Sequence, residues 1–427
     1  MSRCDEAALR NKPRLVSAAA VILLAVSLAA CDSGGSSSST TNGGSAITPP
    51  PPVNNVQPVI VDVGPLVNGQ PVGDVNILFT TVTICVPGTA TCQTIDHIAV
   101  DTGSTGVRIL ASQLTLTLPT STDASGSPIG NCVQYADNTF QWGPVAKADI
   151  KLAGEVASAV PIQVVGASNF PAAPSDCSAG GTPAQSVSDV GANGFLGVGI
   201  FKQDCGASCA STSPPAVYYS CPAAGCSITS VSLTQQLQNP VWMFPQDNNG
   251  LLIVLPQIDA SGAVTVSGSM IFGIGTQSNN SLNGAQAQAT DNFGNFTTTF
   301  NGVPYPSSFI DSGSNGFFFL DARTTGLPDC SSTQAPGFYC PTAPQNFSAI
   351  NTGPNPNGSA VPVSANVAFS IANAVTLFTA PNNAFNDLGG NNPGAFDWGL
   401  PFFFGRSVFV GIEGQSTPAG VGPYWAY

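Results

Sequence analysis

Apolar residues in this chain come in short runs, broken by glycine, proline and small polar residues before a helical period can establish itself. Ile98-Ala-Val, Phe309-Ile and Gly194-Phe-Leu-Gly-Val-Gly are examples. With 46 glycines and 36 prolines among 427 residues, helices are interrupted often, while short strands joined by turns are accommodated. The pattern predicts a mostly β protein and excludes a helical bundle. Phe317-Phe-Phe319 and Phe402-Phe-Phe404 read as core strands.

One apolar run is longer. Leu15 to Ala30 is apolar or small throughout, follows Arg3, Arg10, Lys12 and Arg14, and ends at Leu28-Ala-Ala-Cys31. A basic start, a short apolar stretch and a small-residue box make residues 1–30 a signal peptide, because the run falls short of the roughly 20 residues that a spanning helix needs. The box resembles that of bacterial lipoproteins, which implies that Cys31 becomes the acylated first residue. Residues 31–54 then form a Ser/Gly tether ending in a stiff proline run, with a reach of at most about 75 Å at roughly 3.3 Å per residue. The expected location is the bacterial cell envelope, lipid-anchored on the periplasmic side of the inner membrane or on the outer membrane.

Charge narrows the functions. Only 8% of residues are charged and the net charge is −13. Loss of residues 1–30 leaves six basic against 21 acidic residues, with no basic cluster. Nucleic-acid binding is thereby excluded. A single histidine, His97, removes most histidine-based zinc sites and makes any Ser/His/Asp triad depend on one residue. It stands four positions before Asp101, where strand alternation puts both on one face, and it reads as structural.

Besides Cys4 and Cys31 the chain has ten cysteines, an even number in an oxidising compartment, so disulfides are expected. The close pairs Cys85/Cys92, Cys205/Cys209, Cys221/Cys226 and Cys330/Cys340 suggest local staples, leaving Cys132 with Cys177, although spacing alone does not fix the connectivity. Cys205 to Cys226 has the look of a metal knuckle, but its Pro, Ala and Ser surroundings favour staples. Asp247-Asn-Asn-Gly250 lacks the alternating carboxylates of a calcium loop and reads as a hairpin turn. No metal and no cofactor are expected. Arg108 and Asp397 are rare charges in apolar surroundings whose partners the sequence does not identify.

The chain repeats itself. Ile98-Ala-Val-Asp101-Thr-Gly-Ser104-Thr-Gly106 and Ser308-Phe-Ile-Asp311-Ser-Gly-Ser314-Asn-Gly316 lie 210 residues apart. In each, an apolar strand delivers a carboxylate to a tight turn whose glycines permit close backbone approach. Gly194–Gly199 follows the first aspartate and Trp398–Gly405 the second, at like intervals. A lone Asp-Thr-Gly-Ser is an ordinary turn; two copies, each followed by an apolar run ending in glycine, are a designed pair.

These motifs together resemble the pepsin-like aspartic peptidases over nearly all of residues 57–412. Cys132-Val-Gln-Tyr135, with Gly143 and Ala148–Gly154, resembles the family's flap hairpin; Leu233–Phe244 resembles its short helix and strand leading out of the first lobe; Gly268–Gly273 resembles an early strand of the second. The chain also resembles a group of bacterial envelope lipoproteins known as a domain of unknown function. The first resemblance implies a bilobal, mostly β fold, with antiparallel lobes at 55–232 and 233–427 and a cleft between them.

It also implies that Asp101 and Asp311 meet within roughly 3 Å and share one proton. Ser104 and Ser314 would hold the carboxylates, Thr102 and Ser312 would brace the facing turns, Gly103 and Gly313 would allow the approach, and Tyr135 would close over substrate. The implied function is a membrane-tethered aspartic endopeptidase, a monomer acting on polypeptide with a water activated by the dyad. The alternative is an inactive relative that binds a peptide or an envelope assembly partner. Three departures motivate that alternative: Thr105-Gly-Val-Arg108 after the first turn, Asn315-Gly-Phe317 after the second, and Ala136 and Asn138 where the flap usually has glycines.

Overall fold

The structure is a computed structural model that describes residues 54–427 apart from Ala136; the expected signal peptide, Cys31 and nearly all of the tether lie outside the described residues. The described residues are mostly β, with 43% strand and 9% helix. Val, Ile, Thr and Phe dominate the strands, because branched and aromatic side chains pack well on a pleated surface. Leu78–Cys85 and Cys92–Asp101 are typical, forming an antiparallel hairpin in which Cys85 faces Cys92 and bonds to it.

Most strands join a 16-stranded sheet or a 7-stranded one. The first described strand, Val56–Val61, pairs antiparallel with Val266–Phe272, so strands from both halves of the sequence share the larger sheet. The smaller sheet carries the second aspartate and an aromatic core. Phe319, fully buried, has its ring 5.2 to 6.2 Å from those of Phe300, Phe347, Phe369 and Phe396.

One three-strand arrangement occurs twice. Gly194–Val198 lies parallel to Cys92–Asp101, with Gly197 opposite Asp101, and antiparallel to Thr105–Leu110. Asn392–Trp398 lies parallel to Val303–Ile310, with Trp398 opposite Ile310, and antiparallel to Phe317–Leu320. Each aspartate thus stands where a strand ends and the chain turns around an inserted neighbour. The insertion is tight. A Cβ at Gly199 would lie 2.7 Å from Thr102 O, and one at Gly399 would lie 2.1 Å from Gly316 O.

Among the described residues the disulfides are Cys85–Cys92, Cys132–Cys177, Cys205–Cys209, Cys221–Cys226 and Cys330–Cys340. The four local pairs staple loops. Cys132–Cys177 ties the hairpin of Ile129–Gln134 and Thr139–Leu152 to the short helix Ser175–Ser178.

Several local expectations are corrected. Phe402 and Phe403 are buried in a 3₁₀ turn, Leu400–Phe403, not a strand, since Pro401 has no N–H for a ladder. Leu233–Phe244 forms two 3₁₀ turns, Leu233–Gln235 and Val241–Met243, with Pro240 before the second. The Asp247–Gly250 turn joins that second turn to the strand Gly250–Val254 and closes no hairpin; its carboxylate accepts from Thr276 and Gln277.

His97 interrupts strand alternation. Its φ is 47°, in a bulge opposite Thr80 to Val82, where the register shifts. The ring meets Phe79 edge-on at 5.1 Å, with Nε2 3.4 Å from Asp62 Oδ1 and Nδ1 2.9 Å from Asp96 Oδ2. The Asp62 contact, above all, raises the His97 pKa and lowers that of Asp62. The His97 contribution to stability is full below its ordinary value of 6.5 and is lost as pH rises through the raised folded value. The Asp62 contribution is present above 3.8 and lost as pH falls through its lowered value. His97→Gln is therefore expected to cost about 1 kcal/mol near pH 5, with the deficit shrinking as pH rises through the raised His97 value. Denaturant melts across pH measure this; a deficit that grows with pH would contradict it.

Candidate active site

Asp101 ends its strand and Asp311 directly follows its own, and the two carboxyls come together although they belong to different sheets. Gly103 N–H is shared between them, 2.9 Å from Asp101 Oδ1 and 3.0 Å from Asp311 Oδ1. Asp101 also accepts from Ser104 N at 3.1 Å and from the Ser104 hydroxyl. Asp311 accepts from Gly313 N at 2.7 Å. The backbone can reach both acids because residues 103 and 313 lack side chains.

The turns grip each other reciprocally. Thr102 N donates to Ser312 Oγ at 3.1 Å, and Ser312 N donates to Thr102 Oγ1 at 2.9 Å. Ser312 Oγ in turn donates to Val100 O at 2.7 Å, tying the second turn to the first aspartate's strand. All of these groups are buried, so the bonds are not diluted by water and fix the separation of the carboxyls.

Ser314 Oγ lies 2.9 Å from Asp311 Oδ2 and 2.6 Å from Asp397 Oδ2. A hydroxyl has one proton to give, so Ser314 can serve only one of the two acids fully at a time. Asp397, isolated in sequence, thus joins the site from the inserted strand Asn392–Trp398.

Burial first, and then the neighbouring Asp101 carboxyl, push Asp311 well above the usual carboxylate range. The pair therefore retains a proton where isolated carboxyls have lost theirs. Asp101 is 2% exposed and Asp311 is fully buried, so approach is from the Gly103 and Ser104 side.

That side opens into a cleft of about 720 Å³ lined by Thr102, Gly103, Ser104, Tyr135, Arg108 and Asp204, with apolar walls from both halves of the sequence. Tyr135 sits in the tight turn of the Ile129–Gln134 and Thr139–Leu152 hairpin, its hydroxyl donating to Gln141 Oε1 at 2.9 Å. Burial raises the Tyr135 pKa and Asp101 adds to it, while the Arg108 charge pulls the other way. A larger cavity, about 1020 Å³, borders Asp387 and touches neither Asp-containing turn.

Arg108 Nη2 is 3.7 Å from Asp204 Oδ2, inside the cleft wall. Sequence reasoning singled out Arg108 but missed Asp204, which stands 96 positions later among cysteines and glycines with no pattern linking the two. Among the described residues, no group of three His, Cys, Asp or Glu side chains is arranged to hold a metal ion. Residues 51–427 match the family described as protein of unknown function (DUF3443). No curated protein matches the chain.

Proposed function

The chain belongs to the DUF3443 family, whose description assigns no activity, and from its paired carboxyls we propose that it is an aspartic endopeptidase with a bilobal, pepsin-like fold. The observation that carries this reading is the single Gly103 N–H shared by Asp101 and Asp311, held by the reciprocal Thr102 and Ser312 bonds. Two carboxyls so close share a proton, which supplies an acid and a base together.

In this mechanism a water bound between the carboxyls gives one proton to the ionised member as its oxygen attacks the peptide carbonyl carbon. The protonated member, Asp311, gives its proton to the carbonyl oxygen, and a tetrahedral diol forms. Proton return to the amide nitrogen accompanies C–N cleavage, releasing a carboxyl and an amine. Ser104 and Ser314 orient the carboxyls, and Tyr135 covers the bound segment. The product acid and amine account for every atom of peptide and water, so no metal, cofactor or covalent intermediate is required.

In the same reading the chain is exported, acylated at Cys31 and tethered at the cell envelope, where it works as a monomer on extended polypeptide. Purified full chain incubated with a denatured protein is expected to generate new termini by mass spectrometry, and a statine-type inhibitor should block this. The pH profile should be bell-shaped, because activity needs one proton on the pair. It falls on the alkaline side as pH passes the raised Asp311 value, and on the acid side as the pair takes its second proton. Intact polypeptide at every pH from 3 to 7 would defeat the proposal.

A second reading, a peptide-binding protein without hydrolysis, is favoured by one observation: the two carboxyls are almost wholly buried, which narrows the room for an attacking water. It predicts retention of the peptide uncut in the same experiment.

A further inference from the structure

The cleft wall holds a cation whose hydrogen bonds are largely unspent. Arg108 is 3% exposed, in the strand Thr105–Leu110 that follows the first aspartate turn. Its Nη1 donates to Thr105 O at 3.0 Å. Nη2 approaches Asp204 Oδ2 only to 3.7 Å, beyond hydrogen-bond length. Nε has no hydrogen-bond partner although it is buried. A guanidinium offers five N–H donors, and leaving a buried donor unmet carries the full desolvation cost. The site therefore has an excess of donors.

Asp204 does not cancel that excess. Its oxygens accept from neutral groups, Tyr218 Oη at 2.7 Å and Asn131 Nδ2 at 3.3 Å. Burial pushes its pKa up to about 6 against the pull of Arg108, so below about pH 6 the neutral acid predominates and the charge of Arg108 is then uncompensated by Asp204. Tyr218 and Asn131 face this pair as neutral groups, and the Asp101 and Asp137 carboxyls that act on neighbouring Tyr135 accept their hydrogen bonds from Gly103, Ser104 and Thr139.

We infer that Arg108 is a specificity determinant that accepts the carboxylate of an acidic side chain from an extended polypeptide lying in the cleft. The inference rests on the reading of this cleft as a polypeptide site. The location supports it, since Arg108 lines the same cavity as Gly103, Ser104 and Tyr135. Chemistry supports it too: a carboxylate meets a planar fork of donors bidentately, a carboxamide offers a neutral and weaker acceptor, and an ammonium is repelled. Ile200, Phe201 and Val217 add apolar wall for the stem of such a side chain.

The test is a positional set of labelled peptides in which Glu, Gln, Leu or Lys is moved along one extended sequence. Binding to the full chain is read by fluorescence anisotropy near pH 5.5, and cleavage is read separately by mass spectrometry. At one position Glu is expected to bind about tenfold more tightly than Gln, with Lys weakest. Arg108→Gln should erase the preference, and Arg108→Lys should retain part of it. Melting curves establish that each variant is folded; should Arg108→Gln not fold, the Glu-to-Gln ratio in Arg108→Lys carries the test.

A Glu preference that is absent, or that survives unchanged in the folded Arg108 variants, overturns the inference. Cleavage without Glu preference would sink it and leave the peptidase reading standing. Tightest binding of Glu peptides without cleavage would do the reverse, and failure of every peptide to bind would remove both.

Discussion

Replacing Asp311 by Asn is expected to abolish peptide hydrolysis, lowering kcat by at least about a thousandfold, the usual yield of a positioned acid or base. The amide keeps the shape of the carboxyl and can still meet Gly103 N–H and Gly313 N–H through its oxygen. It cannot deliver a proton to a carbonyl oxygen. Burial and the adjacent acid, which hold Asp311 far above the ordinary carboxylate range, no longer oppose a charge in the variant. Melting temperature should accordingly stay level or rise while activity vanishes, separating loss of chemistry from loss of fold. Asp101→Asn is expected to be equally inactive. Substantial turnover by a folded Asp311→Asn protein would show that peptide bonds are cut elsewhere or by a contaminant.

Gly103→Ala is expected to lower activity about a hundredfold or more without removing any polar group, because displacements near 1 Å cost that much in a positioned site. A Cβ on residue 103 would stand 2.5 Å from Asp311 Cγ and 2.6 and 2.7 Å from its oxygens. Real Cβ atoms do not approach that closely, so the turn and the carboxyl must separate. The same argument applies in mirror image to Gly313, where a Cβ would meet Asp101 Oδ1 at 2.7 Å. Overpacking of this kind also costs about 1–3 kcal/mol of stability. Kinetics with a cleavable peptide and denaturant melts measure the two losses, and full activity in Gly103→Ala would mean that the close approach is irrelevant to catalysis.

The strand-rich character of the fold is legible in the sequence. Short apolar runs and frequent Gly and Pro imply strands, and the two Asp-hydroxyl-Gly-Ser turns, 210 residues apart, mark the ends of two of them. Near-neighbour cysteines find each other because short loops close readily; Cys132 and Cys177, 45 residues apart, have no local spacing that pairs them. Local sequence bias misleads where tertiary context competes with it. Phe402-Phe-Phe404 has strand composition, yet the preceding Gly-Leu-Pro sequence cannot extend a ladder, and a buried 3₁₀ turn results. Alternation put His97 beside Asp101, but one extra residue in a bulge resets the pleat and sends its ring toward Asp62 and Phe79.

Around the site, the sequence supplies the kinds of chemical group but not their distances. It shows two carboxylates, each followed by hydroxyls and glycines, and it shows that Arg108 and Asp397 are unusual. It carries no sign that Arg108 faces Asp204, nor that Asp397 reaches Ser314. Those contacts depend on which strand is inserted beside which, and strand order is set by pairings between residues far apart in the chain.

Sequence by itself therefore determined the strand-rich character, the recurrence of the acidic turn and the scarcity of charge, all of which are properties of short segments and composition. Tertiary structure alone decided that the two turns clasp, that one N–H serves both acids, that a third acid joins through Ser314 and that a half-satisfied arginine lines the cleft. The physical reason is that hydrogen bonds and charge interactions act over a few ångströms, and only folding converts separations of up to some two hundred residues into such distances.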